Sequence, residues 1–228
     1  MKTIFLVIPR RISVRYVLAT DVFSYLKKFD HRIIILTSIS DPLFIKEFEN
    51  ERVKIEVIEM RDYKEGLGER LVRMTRNYLG GAGYDLETLN AKAKMRGLVV
   101  WLFYRLFRLL LRPFLFLRSW LRWLDIYWLS SLIDKKYEPL FEKYNPDLLV
   151  IHSVQELTAV PVARVAQRKN VPSLGIVTSW DNLTNKVEIY ARCQKLIVWN
   201  PVMKNQAVQY HDYQDKDIFV VGTPQFDF

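Results

Sequence analysis

Short, nearly unbroken apolar runs recur along the chain and restrict its fold more than any other feature. Residues 3–8 (TIFLVI), 32–37 (RIIILT), 174–177 and 195–199 (KLIVW) are dominated by aliphatic and β-branched side chains with little alternation. A strand with one wet face alternates, whereas a strand covered on both faces does not. These runs therefore predict strands of a parallel sheet lying between two layers of helices. The intervening segments agree. Residues 14–29 carry apolar side chains at helical spacing, with Asp21 and Lys27-Lys28 on the polar side. Ser40-Asp41-Pro42 is a helix start, Asp41 as cap and Pro42 in the first turn, for a helix through Glu49. Residues 53–60 alternate apolar with charged side chains, which places that strand towards an edge. Strand, helix, strand, helix, strand is the opening of a doubly wound α/β unit.

The alternation stops near Arg61. Residues 61–94 are mixed, and the Gly80-Gly81-Ala82-Gly83 cluster follows no strand, so it reads as a joint and not a phosphate cradle. Residues 86–128 form a long apolar, helical stretch and 129–144 a further helix; together, 86–144 read as an insertion within one domain spanning 1–228. After the Asn145-Pro146-Asp147 turn the pattern resumes. Strands are expected at 148–151, 173–178, 195–199 and 218–221, with helices at 155–169 and 202–210. The expected class is α/β: a doubly wound, mostly parallel, Rossmann-like sheet with a long helical arginine-aromatic insertion.

Composition narrows the setting. Half of the 228 residues are hydrophobic and 14% aromatic, enough for a substantial core and unlike a disordered chain. Cys193 is the only cysteine, which rules out an intramolecular disulfide framework and fits a reducing compartment. The apolar run 4–9 is too short for a secretory signal and is followed by Arg10-Arg11, so a cytoplasmic location is expected. The net charge is +9, and residues 95–128 hold six arginines against Asp125 alone, so +5 of it is concentrated there.

That segment is too charged to span a bilayer, which takes about 20 consecutive apolar residues; its longest uncharged run, 97–104, is eight. Arg105, Arg108 and Arg112 are spaced i, i+3, i+7 on one helix face, and Pro113 should end or kink that helix. Arg118 and Arg122 form a similar stripe on the next helix, opposite Trp120, Trp123, Leu124 and Tyr127. A basic stripe beside an aromatic, apolar face suits an anionic membrane surface, on which such a helix lies in plane. A core hairpin whose arginines snorkel to water accounts for the same pattern. A nucleic-acid surface fits less well, because aliphatic side chains outweigh the aromatic ones.

Few residues could carry chemistry. His31, His152 and His211 are far apart and no Cys/His pair has ligand spacing, so no metal site is expected. Asp215-Lys216-Asp217 precedes a strand instead of ending one and reads as a solvated turn; Asn182-Leu183-Thr184 is a sequon without an export signal. No phosphate-binding loop, dinucleotide fingerprint or nucleophile elbow is present. What remains lies at expected strand ends, where open α/β sheets bind ligands. After the first strand comes a cationic loop with Arg10, Arg11, Ser13 and Arg15, suited to an anion. After the fourth come His152, Ser153, Gln155 and Glu156, and after the fifth Ser179, Trp180, Asp181 and Asn182. Asp181 and His152 are the candidate bases for removing a proton from an acceptor hydroxyl. Each has a bland counterpart: the Ser179–Asn182 cluster as a plain turn, His152 as a satisfied histidine under the rim, and Glu156 as a helix cap.

The second half carries a resemblance. NPDLLVIHS, VARVAQRKNVPSLGIV, TSWDNLTNK, KLIVWNPVMKNQAVQYH and DIFVVGTPQFD, in this order, resemble the end of the N-terminal domain of two-domain GT-B glycosyltransferases. The likeness is nearest to bacterial surface-polysaccharide transferases and the lipid-linked and CDP-glycerol transferases. It implies a metal-independent nucleotide-sugar transferase whose N-terminal domain binds the acceptor, lipid-linked or polysaccharide, while a second Rossmann-like domain binds the donor. The chain stops just after VGTPQFD, where the linker to that second domain would begin, and PRRISVR replaces the glycine-rich turn of some relatives. The resemblance thus implies an acceptor-binding half that binds no cofactor itself, with the nucleotide sugar supplied through a missing domain or a partner chain. It would act peripherally on the inner face of the cytoplasmic membrane. A catalytically inert scaffolding protein that kept the fold is the alternative.

Overall fold

The computed structural model describes residues 1–59, 66–72, 75, 87–114, 116–124, 135–185 and 189–223. Within them the chain folds as a seven-stranded, wholly parallel sheet of order β3-β2-β1-β4-β5-β6-β7. The strands are β1 (Lys2–Ile8), β2 (His31–Thr37), β3 (Val53–Val57), β4 (Leu148–Ile151), β5 (Ser173–Ile176), β6 (Lys195–Val198) and β7 (Ile218–Val220). The α/β class is as the sequence predicts, and β3 lies at the edge as its alternation implied.

The unbroken apolar runs have a direct cause. In β1, Leu6 and Ile8 face one layer, with Ile33 and Ile35 of β2, against α1 (Arg11–Val17), α2 (Asp21–Leu26) and α3 (Pro42–Phe48). Phe5 and Val7 face the other, with Ile34, Leu36, Leu149 and Ile151, against α7 (Glu138–Tyr144), α8 (Val160–Arg168) and α10 (Pro201–His211). Phe5 packs edge-on against Phe141 and Tyr144. Between these halves the insertion contributes α4 (Glu87–Met95), α5 (Leu98–Leu111), a 3-10 turn at Arg112–Phe114 and α6 (Leu117–Trp123). Helix α5 ends just before Pro113, as expected of a ring that cannot donate and clashes with the preceding turn.

Local signals explain the helix starts. Asp41 caps α3 by accepting from Leu43 N at 3.0 Å, and Asn200 caps α10 by accepting from Met203 N at 2.9 Å; each is followed by proline at the first helical position. The Asn145-Pro146-Asp147 turn does more than end α7. Asn145 is left-handed at φ 42°, and Asp147 accepts from Thr3 N at 2.7 Å while its own N–H donates to Thr3 O at 2.8 Å, which sets β4 in register beside β1.

Several boundaries differ from expectation. The single helix expected over 14–29 is two, α1 and α2, because Thr20 is extended and its hydroxyl turns back to donate to Val17 O at 2.8 Å. Most of the expected cationic loop after β1 is instead helix α1, so Arg11, Ser13 and Arg15 are helical, Arg15 in its last turn, and only Arg10 is extended. The helix expected over 155–169 begins as a 3-10 turn, Leu157–Ala159. A four-residue helix, α9 (Asn182–Asn185), was not expected. The glycine cluster at 80–83 and residues 125–134 lie outside the described residues.

Cys193 is buried against the sheet, and burial pushes its thiol up to about 12. A thiolate is the reactive form, so Cys193 should resist thiol reagents in the folded protein at pH 8 and react fully on denaturation. Stoichiometric modification of the native chain, followed by mass spectrometry, would contradict this packing.

Candidate functional site

With order 3-2-1-4, the direction of chain progression reverses between β1 and β4, and a crevice opens outside their carboxyl ends. The first residues beyond those ends are Pro9-Arg10-Arg11 and His152–Glu156. An ion pair spans the crevice: Arg10 Nε lies 3.1 Å from Glu156 Oε2, a contact without hydrogen-bond alignment. Arg11 reaches the other way and donates to Asp41 Oδ2 at 2.9 Å, while Ser38 donates to Pro9 O at 2.8 Å. Pro9, Arg10, Arg11, Ser38 and Asp41 thereby line an open depression of about 680 Å³. Ser13 is buried and Arg15 is exposed.

His152 is the most unusual group on this rim. Its side chain is 4% exposed, and its Nδ1 is buried without a hydrogen-bond partner. Tyr16 of α1 stacks over it at 6.0 Å between ring centroids. Burial holds the imidazole down to about 4, so it is neutral at physiological pH, with one nitrogen available as acceptor. His152 and Tyr16 line a pocket of about 130 Å³ with Ile176, Thr178, Trp199 and Val221, residues at or just past the ends of β5, β6 and β7. Gln155 Nε2 is likewise buried without a partner. Buried polar groups without partners are rare in folded proteins and call for a ligand or water.

The fifth-strand cluster joins the same rim. Asn182, 4% exposed, donates to Thr178 Oγ1 at 3.3 Å and to Gln155 Oε1 at 3.5 Å, tying the end of β5 to the loop after β4. Asp181 behaves as a turn brace: its carboxylate accepts from Ser179 Oγ at 2.5 Å and from Asn185 Nδ2 at 2.8 Å, and its carbonyl starts α9. Trp180 is 67% exposed. The rim therefore pairs Arg10 with Glu156 and Asn182 with Gln155 by direct contact, while His152 lines a pocket beside Tyr16; the Asp181 carboxylate is engaged by Ser179 and Asn185 of its own turn, and Arg15 is exposed on α1.

Sequence reasoning overlooked Tyr16 and Trp199 as site residues. Trp199 was recognisable as the last residue of the KLIVW run, but Tyr16 lies on the helix after β1 and only the fold turns it onto His152. Among the described residues no group of three or more His, Cys, Asp or Glu could hold a metal ion, and no helix is long and apolar enough to cross a membrane. The insertion residues Arg105, Arg112, Trp120 and Trp123 are exposed and Arg108 is half-buried; Arg118 and Arg122 belong to α6.

No protein-family model matches this chain, and no curated protein matches its sequence. Its structure is similar to UDP-GlcNAc 2-epimerase from Neisseria meningitidis bound to UDP-GlcNAc, with a TM-score of 0.50 and 12% identity over 100% of this chain and 47% of that one. It is also similar to UDP-GlcNAc 2-epimerase from Methanocaldococcus jannaschii, with a TM-score of 0.47 and 14% identity over 98% and 46% of the two chains. For the lipopolysaccharide outer core galactosyltransferase WaaB in its apo form the values are 0.39 and 10% over 97% and 45%. The likeness is one of fold, a Rossmann-like parallel α/β domain, and the chain spans just under half the length of each of these proteins.

Proposed function

We propose that this chain is the acceptor-binding half of a metal-independent, nucleotide-sugar-dependent glycosyltransferase of surface-polysaccharide or glycolipid synthesis. It works peripherally at the inner face of the cytoplasmic membrane. The observation that carries this reading is the neutral imidazole of His152, its Nδ1 without a hydrogen-bond partner, buried at the topological switch point of a GT-B-like sheet. The ring lines the pocket and accepts the hydrogen bond of an acceptor hydroxyl; burial makes it a weak base, so it takes the proton late, as the forming glycosidic bond turns that hydroxyl acidic. Arg10, with Arg11 nearby, offers cationic contacts to a phosphate on a lipid-linked acceptor, and Asn182 and Gln155 offer amides to sugar hydroxyls. The donor sits on a second domain, carried by a longer chain or a partner; UDP-sugars are the first donors to try, given the ligand in the Neisseria structure.

Asp181 was the other candidate base. Its engagement by Ser179 and Asn185 favours a structural role, and a purely structural SWDN turn is what an inert scaffold would retain. One experiment separates the readings. The chain, coexpressed with a donor-binding half encoded next to it, is incubated with radiolabelled UDP-sugars and a total membrane lipid extract. Transfer of label into lipid, lost in His152→Gln and retained in part in Asp181→Asn, is the expected result. No transfer with any donor half would leave the inert scaffold.

A further inference from the structure

We infer that α5 is an in-plane anchor for an anionic lipid surface and that, through α4, it holds the Ser179–Asn185 edge of the rim at that surface. This deepens the membrane-surface reading above and rests on it. The structure separates two sides of α5 that the sequence alone left undecided. Trp101, Tyr104 and Arg108, spaced i, i+3, i+7, are the half-buried side, with Trp101 turned to α4. Trp101 Nε1 donates to Asn90 Oδ1 of α4 at 2.8 Å, and the Arg105 guanidinium lies over the Trp101 ring at 5.2 Å. The opposite arc, Val99, Leu102, Phe103, Leu106, Leu109 and Leu110, is exposed throughout, with Phe103 at 69% and Leu109 at 68%.

An arc of this kind on a helix of fourteen residues is the sort of contiguous patch that marks an interaction face. The core-hairpin reading required it to be covered by this chain, and among the described residues it is exposed. Charge complementarity selects the occupant. Arg105 and Arg112, both exposed, lie roughly a third of a turn around from the centre of the apolar arc at 100° per residue, the level of lipid phosphates when the arc enters the acyl region. Trp120 and Trp123 of α6, the next helix along the chain, are half exposed, as indoles at a membrane interface are. A second copy of this chain would bring the same arginines together, which opposes pairing.

The anchor is wired to the rim. Lys92 of α4 donates to the Asn185 side chain and lies 3.4 Å from Asn185 O, and Asn185 in turn donates to Asp181. A lipid-borne head group reaching the rim would thus approach along an edge already held against the bilayer.

The test uses the full chain, with vesicles of phosphatidylcholine alone or with three parts in ten phosphatidylglycerol, read by flotation and by hydrogen–deuterium exchange. Flotation only with the anionic vesicles is expected. Arg105→Ala with Arg112→Ala should weaken it roughly thirtyfold, from about fivefold per cation, and Leu102→Glu with Leu106→Glu should abolish it while the melting curve is unchanged. Vesicles should protect amides of 98–111 and also of 179–185. Equal binding to neutral vesicles, no flotation, or a lipid-free dimer dispersed by the Leu102→Glu and Leu106→Glu changes would overturn the anchor. Protection confined to 98–111 would overturn the link to the rim. Neither readout depends on sugar transfer, so the glycosyltransferase reading stands or falls separately.

Discussion

Gly175→Val should leave little folded protein, and Gly175→Ala should lower stability by about 3 kcal/mol, at the upper end of what overpacking costs in a closed core. A Cβ at this position would sit 2.3 Å from Val154 Cγ1 and 3.2 Å from Cys193 Sγ. Both neighbours are buried and cannot swing away. The close approach has a purpose. Val154 N donates to Ile176 O at 3.4 Å, and Val154 O accepts from Tyr190 and Ala191 N at 3.0 and 2.9 Å, so the loop bearing His152 lies directly on β5. Marginal stability of about 5–15 kcal/mol leaves little room for the displacement a branched side chain would force. Urea unfolding measures it. The double change Gly175→Ala with Val154→Ala should recover most of the loss, because the clash is with that one methyl; no recovery would mean the strain lies elsewhere.

The second large effect concerns His152. In the reconstituted transferase, His152→Gln should lower kcat by about 100-fold or more, the usual scale for loss of a general base, with KM little changed. The accompanying pH dependence has a definite sign. The folded value, about 4, is below the ordinary 6.5, so the fold favours the neutral ring. Its contribution to stability is complete above pH 6.5 and is lost as pH falls from 6.5 towards 4, the loss reaching about 3 kcal/mol at pH 4. Subtracting the His152→Gln stability profile from that of the wild type isolates this slope from the carboxylates that titrate in the same range. A transferase rate unchanged by His152→Gln would remove the imidazole from the reaction even if the stability slope were found.

How much of this was legible beforehand follows from which interactions are local. Buried parallel strands announce themselves because both faces of each are apolar, so Phe5–Ile8 and Ile33–Leu36 could be read without knowing their neighbours. The helix start at Asp41 was legible for the same reason, cap and capped amide being two residues apart; the Asn200 cap is as local, but the sequence reading began that helix at 202. The split at Thr20 was not, since a hydroxyl donating backwards leaves no periodic trace. At the rim, the strand-end residues followed from the rule that ligands bind beyond carboxyl ends, but their pairing did not. Arg10 with Glu156, and Asn182 with Gln155, are contacts across 146 and 27 positions made by strand order. Asp181 shows the converse, a residue whose chemistry invited a catalytic role and whose described side-chain partners are two and four residues away.

Because the chain holds only three histidines, nitrogen-15 NMR of labelled imidazoles can follow His152 directly, assigned by the loss of its signals in His152→Gln. The ring should stay neutral down to about pH 4, and its nitrogen shifts should move when a detergent-solubilised lipid-linked saccharide is added. A ring that titrates near 6.5 and ignores the saccharide would contradict the buried, ligand-facing imidazole on which the functional reading is built.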